Sequence, residues 1–184
     1  MVQLSRFFAL LAVASVGLAS AATTQRSTAV SYTVTVTGVI TGIKGLDSAI
    51  SAATSAPTKD TAVALGTAAV GLGNTLSAAT NAVKNGGAIA QADGAAALKL
   101  LEGEESTIAA GLAKLAAAHS ALLGLGIPEF KQILCAASRN IVAQTSSFIA
   151  ASKTKLQASQ QGEADQVGAN IESGFPAVLA AYSC

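Results

Sequence analysis

The sequence predicts an all-α fold, an antiparallel bundle of five or six helices, and three observations carry that reading. Apolar residues recur in alternating steps of four and three along most of the chain. Breaks containing Gly or Pro cut the pattern into segments of helical length. The breaks span only a few residues, as between successive helices of a bundle, so sequence neighbours are expected to pack antiparallel.

The first stripe is Tyr32, Val36, Val39, Ile43, Leu46 and Ile50, on one face of a helix. The stretch from Ser31 to Ile40 is dense in Val and Thr, which favour strands. The spacing continues well beyond that stretch and decides for helix. Pro57, with Thr58 or Asp60 as N-cap, opens the second helix; Leu65, Ala69, Leu72, Leu76, Ala79 and Val83 form its stripe, and Asn85-Gly86-Gly87 ends it. The region from Ala88 to Leu123 carries Leu98, Leu101, Ile108, Leu112, Leu115 and Leu122, with a break expected at Gly103 and a stop at Gly124 and Gly126. Pro128 is expected at the first position of the next helix, with Glu129 in its first turn and Phe130, Leu134, Ala137, Ile141 and Phe148 as its stripe. Gly162 separates a last segment with Val167, Ile171, Val178 and Tyr182, which Pro176 must kink or restart.

The N-terminus has the three parts of a secretory signal peptide in order: Arg6, the apolar run from Phe7 to Leu18, and small residues at Ala19-Ser20-Ala21. The run has 12 residues, against about 20 needed to span a bilayer. The expected organisation is a signal peptide at 1–21, a Ser/Thr-rich leader at 22–30 and a helical bundle domain at 31–184, exported to the extracellular space. Thr23 to Thr37 is rich in Ser and Thr and suits O-glycosylation, or serves only as a polar leader.

Charged residues make up 11% of the chain, against about 25% in ordinary domains, and aromatics 4%. Much of the surface must therefore be Ala, Ser, Thr and Gly. Arg6 leaves with the signal, so ten basic residues face ten acidic ones, which argues against nucleic acid as a partner. Two cysteines in an exported chain are most simply one disulfide, Cys135–Cys184, closing a loop of 49 positions and contributing about 4 kcal/mol. Two free thiols are the alternative. The C-terminus has too short an apolar tail for a glycolipid anchor signal, and no Asn is followed two residues on by Ser or Thr.

Catalysis finds little material. The single histidine, His119, falls in the apolar stripe of its segment, where histidines are ordinarily core or boundary residues. No nucleophile elbow, zinc-protease, phosphate-loop or Cys-x-x-Cys motif occurs, and the ligand inventory is too thin for a metal site. Glu102, Glu104 and Glu105 read as a solvated helix turn. No enzyme activity, cofactor or metal is expected.

The unusual segment is the second helix, where Thr61 to Val83 holds 23 residues without a charge. Asn74, Asn81 and five Ser or Thr residues make it too polar for a convincing membrane span. A central helix surrounded by neighbours explains it, and so does a helix facing an apolar ligand or surface. Helix-interior glycines at Gly38, Gly42, Gly45, Gly66, Gly71, Gly73 and Gly111 mark either close helix approach or loose packing around an apolar cavity.

The run Phe148-Ile-Ala-Ala-Ser-Lys-Thr-Lys, the run Gln166-Val-Gly-Ala-Asn-Ile-Glu-Ser-Gly-Phe175 and the ending Ala180-Ala-Tyr-Ser183 resemble the fungal hydrophobic surface-binding protein A family, which includes the cell-wall galactomannoproteins. The resemblance covers roughly residues 30–183. It implies a secreted or wall-associated helical protein that adsorbs to hydrophobic surfaces, or binds fatty acids in an apolar cavity. The chain departs from a typical member in its high Ala and Gly content, and the cysteine pair is not a recognised family mark. Three roles follow: adsorption through weakly charged amphipathic helices; carriage of a fatty acid or similar lipid in a cavity lined by Leu65, Leu72, Leu76, Ile108, Leu112 and Leu115; and a structural wall mannoprotein antigen in contact with cell-wall glycans.

Overall fold

In the computed structural model the described residues are 31–184; the expected signal peptide and leader lie outside them. Four long helices make the frame: α1 (Tyr32–Ser55), α2 (Lys59–Asn85), α3 (Gln91–Ala117) and α5 (Phe130–Lys153). The one-turn α4 (His119–Leu123) follows α3, and α6 (Gln161–Glu172) and α7 (Phe175–Ala181) complete the chain after a short 3-10 turn at Ala158–Gln160. The fold is an all-α bundle, and every stripe residue expected in α1, α2 and α5 is buried. The Val- and Thr-rich start of α1 is helical because its apolar face is covered and its threonines bond back along the helix, Thr37 Oγ1 to the Thr33 carbonyl at 2.8 Å and Thr41 Oγ1 to the Thr37 carbonyl at 2.9 Å.

Thr58 caps α2 in a reciprocal box with Thr61, and Gly86 closes it. Three boundaries differ from expectation. Gly103 does not break α3, which runs on to Ala117; a Cβ at Gly103 would meet nothing within 4 Å, so the position carries no packing conflict. Pro128 and Glu129 lie in a turn ahead of α5, where Gly126 and Glu129 take φ of 63° and 65° and redirect the chain. Gly162 falls inside α6. The real break is at 154–157, where the Ile89 N–H donates to the Lys155 carbonyl at 2.9 Å and Lys155 Nζ donates to the Gly86 carbonyl at 2.9 Å. A tertiary contact between two loops, invisible in local sequence, sets that boundary.

The four long helices alternate in direction along the chain but do not all lie beside their sequence neighbours. α3 packs on α1 rather than along α2, and α5 packs on α2. Both of these pairs run parallel: Asp93 of α3 meets Thr33 of α1 and Glu104 meets Lys44, while a Cβ at Gly66 or Gly73 of α2 would meet Ile133 or Asn140 of α5. α6 and α7 sit between α3 and α5, touching both. The order around the bundle is therefore α1, α2, α5, α6–α7, α3. α2 is a wall of this ring and not a surrounded central helix; its outward residues Val63, Ala64, Thr67, Gly71, Asn74, Ala78 and Asn81 are exposed.

Candidate functional site

Stripes on six helices point at the axis of the ring and leave one apolar cavity there, of about 40 Å³. α1 contributes Val39, Ile43, Leu46, Asp47 and Ile50; α2 contributes Leu72 and Leu76; α3 contributes Leu101, Thr107, Ile108, Gly111 and Leu112. Ile141, Thr145, Phe148 and Ile149 of α5, Ile171 of α6 and Phe175 of α7 close the other side. Of the six candidate residues read from the sequence, Leu72, Leu76, Ile108 and Leu112 line this space. Leu65 and Leu115 are buried elsewhere in the core.

Sequence reasoning did not single out Asp47, Thr107 and Thr145, the polar side chains of the lining. Thr145 had a signal: it stands between Ile141 and Phe148 at stripe spacing, a hydroxyl where the pattern calls for a hydrocarbon. Its side chain is buried and its Oγ1 has no hydrogen-bond partner. Its neighbours on α5 behave differently. The hydroxyls of Ser146, Ser147 and Ser152 bond to the carbonyls of Val142, Ala143 and Phe148, four residues back. Asp47, Thr107 and Ile108 are half-buried, so the cavity comes nearest to solvent at the seam between α1 and α3.

The glycines locate the tight interfaces around this space. A Cβ on Gly42 would lie 3.1 Å from Leu72, on Gly73 2.4 Å from Asn140, on Gly111 2.9 Å from Asp47, on Gly168 2.9 Å from Ile149 and on Gly174 2.7 Å from Leu112. Gly38, Gly45 and Gly71 face no neighbour within 4 Å. Close approach is thus the role of some interior glycines only.

Cys135 and Cys184 are joined, which pins the end of the chain to α5. Beside them Tyr182 is buried between Phe130 and His119, and its hydroxyl donates to the Leu115 carbonyl at 3.2 Å. Burial pushes the Tyr182 phenol up to about 12, so it stays a neutral donor. His119 is half-buried, with Nδ1 against the Ala116 carbonyl at 3.1 Å and Nε2 against Ser120 Oγ at 3.0 Å. Glu102 is exposed as expected, but the other two glutamates are less idle. Glu104 pairs with Lys44 at 3.1 Å and Glu105 accepts from Asn170 at 2.9 Å, fastening α3 to α1 and to α6. Among the described residues no group of three metal-ligating side chains comes together.

No family model matches the chain by sequence, and no curated protein matches it. Solved structures do share its fold. AfMP4p in complex with palmitic acid superimposes with a TM-score of 0.72 at 16% identity, over 82% of this chain and 97% of that one. Ligand binding domain 2 of the Penicillium marneffei MP1 protein, complexed with multiple arachidonic acids, gives 0.71 at 12% identity, over 83% and 94%. Ligand binding domain 1 of the same protein, complexed with arachidonic acids, gives 0.66 at 11% identity, over 82% and 99%.

Proposed function

We propose that this chain is an exported, non-enzymatic protein that binds a long-chain lipid in the core of its bundle. The observation that carries the reading is the central cavity: six helices converge on one apolar space, and every fully buried side chain of its lining is uncharged. Proteins of the same fold crystallised with palmitic and arachidonic acids support that use of the core. The disulfide supports export, because such bonds persist in oxidising compartments.

At about 40 Å³ the cavity is several-fold smaller than ordinary ligand pockets of roughly 300–1,000 Å³. Binding therefore requires the ring to open. The wall that moves in this proposal is α6–α7, the shortest part of the ring. Its α6 half meets α5 through the surface pairs Lys153–Asp165 and Ser146–Glu172 and meets α3 through Glu105–Asn170, while the Cys135–Cys184 bond keeps the end of α7 on α5, so the opening is a swing of α6 about that tether. Each methylene buried contributes about 0.8 kcal/mol, so ten of them supply about 8 kcal/mol against the work of opening.

The test is to express the full chain in a secreting host, extract any bound lipid for mass spectrometry, and titrate the stripped protein with palmitic acid by calorimetry. Saturable binding is expected, with slowed hydrogen exchange in α3, α6 and α7. Absence of both co-purified lipid and binding heat sinks the proposal. The uncharged outer strip of α2 favours a second reading, adsorption to hydrophobic surfaces. Its support is thinner, because the exposed large apolar residues Val34, Val63, Leu100, Leu123 and Ile133 fall on five different helices. Retention on a hydrophobic resin that Val63→Ser abolishes would favour it.

A further inference from the structure

From the polar groups of the cavity we infer that the site prefers a lipid with an uncharged, hydroxyl-bearing head, such as a long-chain alcohol, over a fatty-acid anion. The inference rests on the lipid-binding reading and narrows it.

The cavity lining contains one charged side chain, and it is an acid. Asp47 lies against α3 over the seam: a Cβ at Gly111 would come within 2.9 Å of its Oδ1. The charged groups flanking that seam are Lys44, one turn back on α1, Glu104 on α3, and the exposed Lys114, one turn on from Gly111. Lys44 is held by Glu104 at 3.1 Å and its side chain is 63% exposed, so its charge is both paired and hydrated. Glu105 accepts from Asn170. Of these groups only the Asp47 carboxylate lines the cavity itself. The cavity-lining residues of α2, α5, α6 and α7 bring no charge at all. A carboxylate head brought here meets like charge at close range, and no cation among the cavity-lining residues compensates it.

A hydroxyl head fits the same groups. It donates to the Asp47 carboxylate or accepts from the hydroxyl of Thr107. Deeper in the cavity, Thr145 presents a buried hydroxyl without a partner, a cost that a polar atom of the ligand relieves. A second hydroxyl or an ester oxygen along the lipid satisfies it. Asp47 and Thr145 therefore specify a ligand that is polar at two points and charged at neither.

The experiment is a parallel titration of the stripped full-length protein with hexadecan-1-ol and with palmitate, both delivered from cyclodextrin at neutral pH. The alcohol is expected to bind more than about tenfold tighter. D47N is expected to strengthen palmitate binding by about tenfold and to weaken the alcohol by about threefold, because its hydroxyl then donates to a neutral amide oxygen, with an unaltered melting temperature showing that the fold is intact. T145V should weaken binding of monopalmitoylglycerol more than binding of hexadecan-1-ol. Palmitate bound as tightly as the alcohol in the wild type, with D47N inert, overturns the head-group inference while lipid binding stands. Binding of neither lipid overturns both.

Discussion

The two ends of the described chain are tied down by opposite means. At the start of α1, Asp93 reaches across from α3 and accepts from Ser31 Oγ and the Tyr32 N–H at 2.8 Å each, from the Thr33 N–H at 3.1 Å, and from Thr33 Oγ1. At the other end, just past α7, Cys184 is bonded covalently to Cys135, and Arg139 donates to the Cys184 carbonyl. The helices they secure differ as much. α1 has 24 residues, eight of them buried, and packs along both α2 and α3. α7 has seven residues, two of them buried. A helix with two long interfaces needs only hydrogen bonds to hold its end. A two-turn helix cannot bury enough apolar area to stay in place, and here it is stapled. The bundle is thus a self-supporting frame of four long helices and a short wall that depends on its anchors.

The most damaging way to break that contrast is to cut the staple. C135S/C184S frees a loop of 49 positions and should lower stability by about 4 kcal/mol. Urea denaturation measures the loss. Hydrogen exchange then locates it: protection should vanish from α7 and α6 first, while the stripes of α1 and α2 keep theirs. Equal loss in frame and wall would mean that the two are one cooperative unit.

A smaller perturbation sharpens the contrast at single positions. Gly174, between α6 and α7, has backbone angles any residue adopts, but a Cβ there would lie 2.7 Å from Leu112 Cδ1 and 3.2 Å from its Cβ. Gly174→Ala should destabilise by about 1–3 kcal/mol by wedging the wall off α3. Gly71→Ala, on the outer face of α2 with nothing within 4 Å, should stabilise by about 1 kcal/mol. Thermal melts of the two variants should move in opposite directions. Two losses of similar size would show that the frame is no more tolerant than the wall.

The same division governs how much was legible in the sequence. The frame was readable because helices that bury one continuous face must repeat apolar residues every three or four positions, as Tyr32 to Ile50 and Leu65 to Val83 do. The wall was readable only in part: Val167, Ile171, Val178 and Tyr182 are all buried, but the break before them is fixed by the Lys155–Gly86 and Ile89–Lys155 bonds between distant loops. The order of helices around the ring was not readable at all, because the parallel α1–α3 and α2–α5 pairings depend on which faces meet. The site suffers from the same gap. Leu72 and Leu112 share the cavity while Leu65 and Leu115 do not, although all four obey the same spacing. Asp47 stands beside the stripe, next to Leu46, and acquires its place at the seam only through the neighbouring Gly111.

The smallest effect belongs to the uncharged-to-charged balance at the Asp93 anchor, and its sign distinguishes the two ends. Burial raises the Asp93 carboxyl, but hydrogen bonds from the Thr33 and Ser31 side chains and the Thr33 and Tyr32 backbone outweigh it, so the group sits below the ordinary aspartate value of about 3.9. A carboxyl depressed on folding adds stability above its unfolded value and loses it as the pH falls through the folded one. Asp93→Ala should therefore destabilise by about 1 kcal/mol near neutrality, the usual size of a lost N-terminal cap. As the pH falls below the ordinary aspartate value and through the lower folded one, the variant and the wild type should converge, because the wild type loses the same charge-assisted bonds. The C135S/C184S variant has no such dependence, since a disulfide does not titrate. Urea curves on both variants over a pH series from neutrality down into acid decide the matter. A penalty for Asp93→Ala that persists undiminished in acid would mean that Asp93 holds α1 by shape alone, and the contrast between a titratable anchor and a covalent one would fail.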